Sequence, residues 1–323
     1  MSNTLITIGL TCYNAEDTIR RAVASALRQT WPNVEILVVD DCSTDGSWSV
    51  LRELAAEQTS IRIIRTGQNG GVGAARARLV DEARGEFLAF FDDDDESAPE
   101  RLERQYRRIS DYEASHSGAD VFCYSNGHVV PSDSGVPIRQ RRGIGRVPPE
   151  PGGPLAADHF LGLVNDDGHH CWGMAGSGTL MARTNTFRKF GGFDPRFRRC
   201  EELDLAVRAA QGGAHFISVD KPLITQYFTE GADKGSRAEL RYRLLLLEKY
   251  KSHLRSRGAY LGAVANMQAW FCHANDWRWR GWGWRVLAII LLPWPLKRAR
   301  LERGLARILA MHAGPNTREP SSS

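Results

Sequence analysis

The stretch Phe87-Leu88-Ala89-Phe90-Phe91-Asp92-Asp93-Asp94-Asp95-Glu96 sets five apolar residues directly against five carboxylates. A short, continuous apolar run of this kind reads as a strand, over Glu86–Phe91, covered on both faces as in parallel sheets. The chain on either side repeats the theme. Leu5–Leu10, Glu35–Val39, Ile61–Ile64 and Asp120–Tyr124 are further strand candidates. Between them lie segments of helical period. Ile19, Ala22, Val23, Ala26 and Leu27 form one apolar face, and helices follow over Trp48–Ala56 and Ala74–Ala83. Pro99 suits the first turn of another, carrying Leu102, Tyr106 and Ile109. Strands alternating with helices imply an α/β domain around a mostly parallel central sheet flanked by helices.

In open α/β sheets ligands bind beyond the carboxyl ends of the strands, so an acidic run at a strand tip carries meaning that its charge alone does not. Asp92–Glu96 is one such run. Crowded carboxylates raise one another's pKa unless a cation lies among them, and dense oxygen donors suit Mg²⁺ or Mn²⁺. A solvated acidic loop is the plainer alternative. A second cluster, Asp40-Asp41-Cys42-Ser43-Thr44-Asp45-Gly46, follows Glu35–Val39. Its carboxylates could accept hydrogen bonds from a base N–H or from ribose hydroxyls, or could cap the next helix. The third, Gly191-Gly192-Phe193-Asp194 and then Glu201-Glu202-Leu203-Asp204-Leu205, opens a helix near Glu201. Acids in a first turn satisfy the helix dipole; they could equally supply a general base.

In this order the clusters resemble the inverting family 2 glycosyltransferases with a GT-A fold. The resemblance covers residues 4 to about 230 and rests also on Thr11-Cys12-Tyr13-Asn14, Asn69-Gly70-Gly71 with Ala75-Arg76, and Gly85-Glu86. It implies that Thr11 and Tyr13 line a nucleoside pocket and that Asp41 binds the base, a uracil. It implies that Arg76 and Asp93 approach the nucleotide-sugar, and that Asp92 and Asp94 form the D-x-D pair, with Asp94 the direct ligand of Mn²⁺ or Mg²⁺. Ala77 departs from the usual Asn. The catalytic acid of the Glu-Asp-x-Asp pattern falls on Glu202, one methylene longer, so the base is open among Glu201, Glu202 and Asp204. The missing Q-x-x-R-W motif disfavours a processive synthase. Trp172, in Cys171-Trp172-Gly173-Met174-Ala175-Gly176-Ser177-Gly178, is placed to stack on a sugar or acceptor ring, or else to pack in the core. The implied activity is transfer of a sugar from a nucleotide-sugar, a UDP-sugar, to a hydroxyl of a glycan or lipid-linked acceptor in bacterial-type surface glycan assembly. The alternatives are a non-catalytic sugar-nucleotide binding module and a Mg²⁺-dependent phosphatase-like enzyme; the absence of any lysine before Lys189 counts against the latter.

Composition sets outer bounds. The 323 residues, 42% hydrophobic and 25% charged, are those of a globular protein. A net charge of +4 and the lack of a recognisable motif argue against nucleic acid as a partner. Six cysteines without a C-x-x-C pair fit a reducing compartment. The N-terminus shows no basic, apolar leader, and Val286–Leu292 is far short of the roughly 20 residues of a membrane span. A cytoplasmic protein is expected. Residues 1–232 read as the catalytic domain, interrupted by a proline- and glycine-rich surface loop at about 130–157. Residues 233–311 read as a helical extension and 312–323 as a disordered tail. Tryptophans at 270, 277, 279, 282, 284 and 294, among eight basic residues and one acid from Arg278 to Ala310, suit peripheral contact of 270–310 with the inner face of an anionic membrane.

Overall fold

A computed structural model describes residues 4–131, 135–164, 168–228 and 237–293. The chain divides into two compact units, Met1–Ala232 and Asp233–Ser323.

The first unit begins with β1 (Ile6–Cys12), α1 (Ile19–Leu27), β2 (Val34–Asp40), α2 (Ser47–Glu57), β3 (Ile61–Arg65), α3 (Val72–Glu82) and β4 (Phe87–Phe91). These four strands pair in parallel in the order β3-β2-β1-β4, so the carboxyl ends of β2, β1 and β4 share one edge. Next come β5 (Glu96–Ser97), α4 (Arg101–Ser115), β6 (Val121–Pro131), β7 (Arg139–Arg141), α5 (Gly153–Phe160), β8 (Met181–Arg183), α6 (Thr184–Lys189), α7 (Glu201–Gln211) and β9 (His215–Phe228). The β8 strand enters antiparallel to both β4 and β6, while β6 and β9 run parallel, so the nine-stranded sheet is mixed.

Period-two alternation sorts the core into two layers. One face of the sheet presents Ile8, Leu10, Ile36, Val38, Ala89 and Phe91 to apolar residues of α1, α2 and α4. On the other, Gly9 lets Leu79 of α3 lie against the strand. There Phe90 meets Phe187 and Phe193 edge-on at 5.3 and 5.2 Å, and Phe122 stacks on Phe216. The segment expected as one long surface loop is more structured than its prolines suggest. It holds β7 and the start of α5, and Ile144 is wholly buried. The local pattern missed this because pairing to β6 and a buried turn against Ser218, not periodicity, order it.

The second unit contains α8 (Arg237–Lys249), α9 (Lys251–Ser256), α10 (Tyr260–Ala274) and α11 (Arg278–Leu291). Small residues bring α10 and α11 together. A Cβ at Gly262 would lie 2.8 Å from Leu292, and one at Gly281 would lie 2.9 Å from His273. Among the described residues no helix is long and apolar enough to cross a membrane. Trp294 and the tail at 312–323 lie outside the described residues.

Candidate active site

Three loops meet at the shared edge. The chain leaves β1 through Asn14 at φ 51°, leaves β2 through Cys42 at φ 61°, and enters α7 through Cys200 at φ 65°. Left-handed backbone is uncommon outside glycine, and such conformations gather where a site over-determines the chain. Hydrogen bonds fasten the loops. The Asn14 N–H donates to Ser43 Oγ at 3.1 Å, and Asn14 Oδ1 accepts from the Thr44 N–H at 2.8 Å. The Tyr13 N–H donates to Asp93 Oδ2 at 3.1 Å. Tyr13 itself is exposed, while Thr11 is half-buried on β1.

Asp41 is buried, yet its carboxylate is already engaged. It accepts from the Gly70 and Gly71 N–H groups at 2.9 and 2.6 Å and from Thr66 Oγ1 at 3.2 Å. Asp41 thereby anchors the Asn69-Gly70-Gly71 turn that starts α3. Arg198 holds the same turn from outside, donating to Asn69 Oδ1 at 2.6 Å and to its carbonyl at 2.7 Å.

The acidic run after β4 and the acidic first turn of α7 are joined by Arg76. This buried guanidinium pairs with Asp92 Oδ1 at 3.0 Å and with Glu201 Oε1. Burial works against its charge, but Glu201, Asp92 and Glu202 outweigh that and hold its pKa above the usual value. Glu201 is raised well above the carboxylate range by burial and by Glu202, with which it shares a hydrogen bond, Arg76 pulling the other way. Half-buried Glu202 is therefore the outer member of a chain running Asp92–Arg76–Glu201–Glu202. Asp204 is wholly buried and paired with Arg208 at 2.9 Å, which also donates to the Phe190 and Gly192 carbonyls. It braces the Gly191-Gly192 turn.

At the β4 tip, burial and Asp94 push Asp93 up to about 7, and burial with Asp92 and Asp94 pushes Asp95 up to about 9. These two carboxyls are thus held toward their protonated forms. No three His, Cys, Asp or Glu side chains among the described residues converge as a preformed metal cage. These carboxylates instead fit a hard ion held by one or two protein oxygens and completed by phosphate oxygens and water, the habit of Mg²⁺.

Residues 7–155 match the family described as glycosyl transferase family 2. The chain carries a family 2 glycosyltransferase domain. It is 40% identical over 116 residues to the succinoglycan biosynthesis protein ExoO of Rhizobium meliloti, covering 36% of this chain and 31% of that one. It is 31% identical over 125 residues to the UDP-Glc:alpha-D-GlcNAc-diphosphoundecaprenol beta-1,3-glucosyltransferase WfaP of Escherichia coli, covering 39% and 47%. The matched region thus spans less than half the length of either relative. Its fold is shared with S. aureus TarS 1-349 in complex with UDP-GlcNAc, with a TM-score of 0.56 at 18% identity over 89% of this chain and 83% of that chain.

In the first unit, Trp172 is half-buried and stacks on His159 at 4.4 Å, so one face of the indole is taken. The glycines beside it allow close approach. A Cβ at Gly178 would collide with Asp92 Oδ2. Sequence reasoning missed Gly178 as a neighbour of Asp92, Arg198 as a clamp, and Arg101. The last lies wholly buried behind the acidic run, donates to the Phe90 carbonyl at 2.9 Å, and is pushed down to about 9 by burial. The position of Arg101 on an amphipathic helix carries no signal of that burial. Asn14 had one: Asn is a residue type enriched in the left-handed region.

Proposed function

We propose that the domain transfers a sugar from a UDP-sugar to a hydroxyl acceptor with inversion at the anomeric carbon, in assembly of a bacterial surface glycan or glycolipid. The observation that carries this reading is the continuous Asp92–Arg76–Glu201–Glu202 chain, which ties a charge-rich strand tip to the first turn of α7. The donor class draws support from WfaP, whose name states UDP-Glc, and from TarS, crystallised with UDP-GlcNAc. The acceptor reading, a lipid-linked or glycan hydroxyl, follows WfaP alone.

Thr11, Tyr13 and Asp41 face the nucleoside, and Asp92 and Asp94 would hold the divalent ion, Mn²⁺ or Mg²⁺. Bound there, that ion neutralises charge on the pyrophosphate. Glu202 accepts the acceptor's hydroxyl proton as that oxygen bonds to the anomeric carbon, on the face opposite the diphosphate. The carbon–oxygen bond to phosphate breaks and its electron pair leaves with UDP. An α-linked donor gives a β-linked product. Arg76 balances the charge of Asp92 and holds Glu201, which leaves Glu202, at the outer end of the chain, as the base. The protein works peripherally on the cytoplasmic side of a membrane.

Glu202→Gln tests the assignment. Transfer falls about 10²–10⁴-fold while UDP affinity measured by calorimetry stays within twofold. Unchanged turnover would move the base elsewhere.

A further inference from the structure

In α11 the side that meets α10 is made of small residues. Gly281 and Ala288, seven apart, are buried, whereas large side chains of the helix are exposed, Trp282 also meeting His273 of α10 edge-on at 6.0 Å. Trp279 is 90% exposed, Trp282 58%, Val286 53% and Ile290 61%. Their spacings of three, four and four residues place all four on one stripe of the helix. Arg278 and Arg285 fall along one border of that stripe, and Arg280 along the other. No acid occurs anywhere in α11.

A solitary exposed apolar residue needs no explanation, but a continuous stripe with cations at both borders does. The charge pattern selects what covers it. Residues 294–310 carry Lys297, Arg298, Arg300, Arg303 and Arg307 against Glu302 alone, so they would set like charge beside like. A second copy in a symmetric pair would bring these arginines face to face. An anionic lipid surface satisfies both parts. Hydrocarbon enters the acyl boundary, and guanidinium groups at the flanks reach lipid phosphates with their forked donors.

We propose that α11 is an in-plane membrane anchor whose Trp279, Trp282, Val286 and Ile290 stripe lies in the interface of an anionic bilayer, with Arg278, Arg280 and Arg285 bonding lipid phosphates. This deepens the peripheral placement proposed above and does not depend on sugar transfer. It names the helix, the face and the lipid charge.

Flotation of the full chain tests it, using phosphatidylcholine vesicles and vesicles in which phosphatidylglycerol is added. Wild type floats with the anionic vesicles only. Arg278→Gln, Arg280→Gln and Arg285→Gln together lower partitioning about 100-fold, because each basic residue near such a surface contributes about 1 kcal/mol. Trp279→Ser, Trp282→Ser and Ile290→Ser together lower it at least about 100-fold. Stabilisation by UDP and Mn²⁺ in a thermal melt, read on the same samples, stays at the wild-type value. That readout separates failure of the anchor from failure of the glycosyltransferase reading. The proposal is overturned if wild type does not float, if it floats equally on neutral vesicles, or if either triple variant still floats. It is also overturned if the serine variant loses self-association and not flotation, since the stripe would then be a face between copies.

Discussion

The unit Met1–Ala232 hides charge, with Arg76, Arg101, Glu201 and Asp204 almost wholly out of water; in Asp233–Ser323 the tryptophans of α11 stand in it. Both depart from the rule that apolar residues go inside and charges outside, in opposite directions. A buried ion is costly unless partners surround it, so the first unit builds ion pairs and carbonyl contacts around each one. Exposed hydrocarbon has no comparable remedy within the chain. The first departure is therefore closed within the fold, and the second is open to a partner. Each marks a place where the sequence gives up stability for a task.

The largest effect expected from that contrast is at Arg76. Arg76→Met strands Glu201 and Asp92 without their cation and costs about 3–5 kcal/mol in urea denaturation. Glu201→Gln, which keeps the volume of a carboxyl already held toward its protonated form, costs only about 1 kcal/mol. Equal losses would mean that the pair is not coupled as described. Next comes Gly178→Ala. The added methyl must displace Asp92, so this change costs about 1–3 kcal/mol and weakens UDP binding in the presence of Mn²⁺. Smallest is Trp279→Ser, which shifts stability by no more than about 0.5 kcal/mol because the indole buries almost nothing. A loss as large as that of Arg76→Met would show that the indole is covered in the free protein, and the opposition between the two units would disappear.

The parts that could be read from sequence are those specified locally. The apolar runs of β1, β2 and β4 and the 3.6-residue stripes of α1 and α4 announce themselves, and the acidic residues at strand ends follow once parallel order is inferred. What was not legible depends on long-range pairing. Nothing near Arg76 announces Glu201, 125 residues away. The β8 strand is only three residues long, and its antiparallel entry is set by partners on both sides. The 14-residue β9 strand contains Lys221-Pro222, a dipeptide that argues against a central strand, and accommodates it with register irregularities where β6 passes Asn126 and Gly127. In the second unit the helical extension carries a stripe through Leu240, Leu244, Leu247, Tyr250 and Leu254. The structure divides it at Tyr250 into α8 and α9.

The most direct test is calorimetric titration of the full chain with UDP, with Mn²⁺ and with EDTA, on wild type and on Asp94→Asn. UDP should bind wild type at least tenfold more tightly with Mn²⁺ than without, and that enhancement should vanish in Asp94→Asn. UDP affinity that is the same in EDTA as in Mn²⁺, or the same in both proteins, would contradict a divalent ion seated between the aspartates after Phe91 and the pyrophosphate.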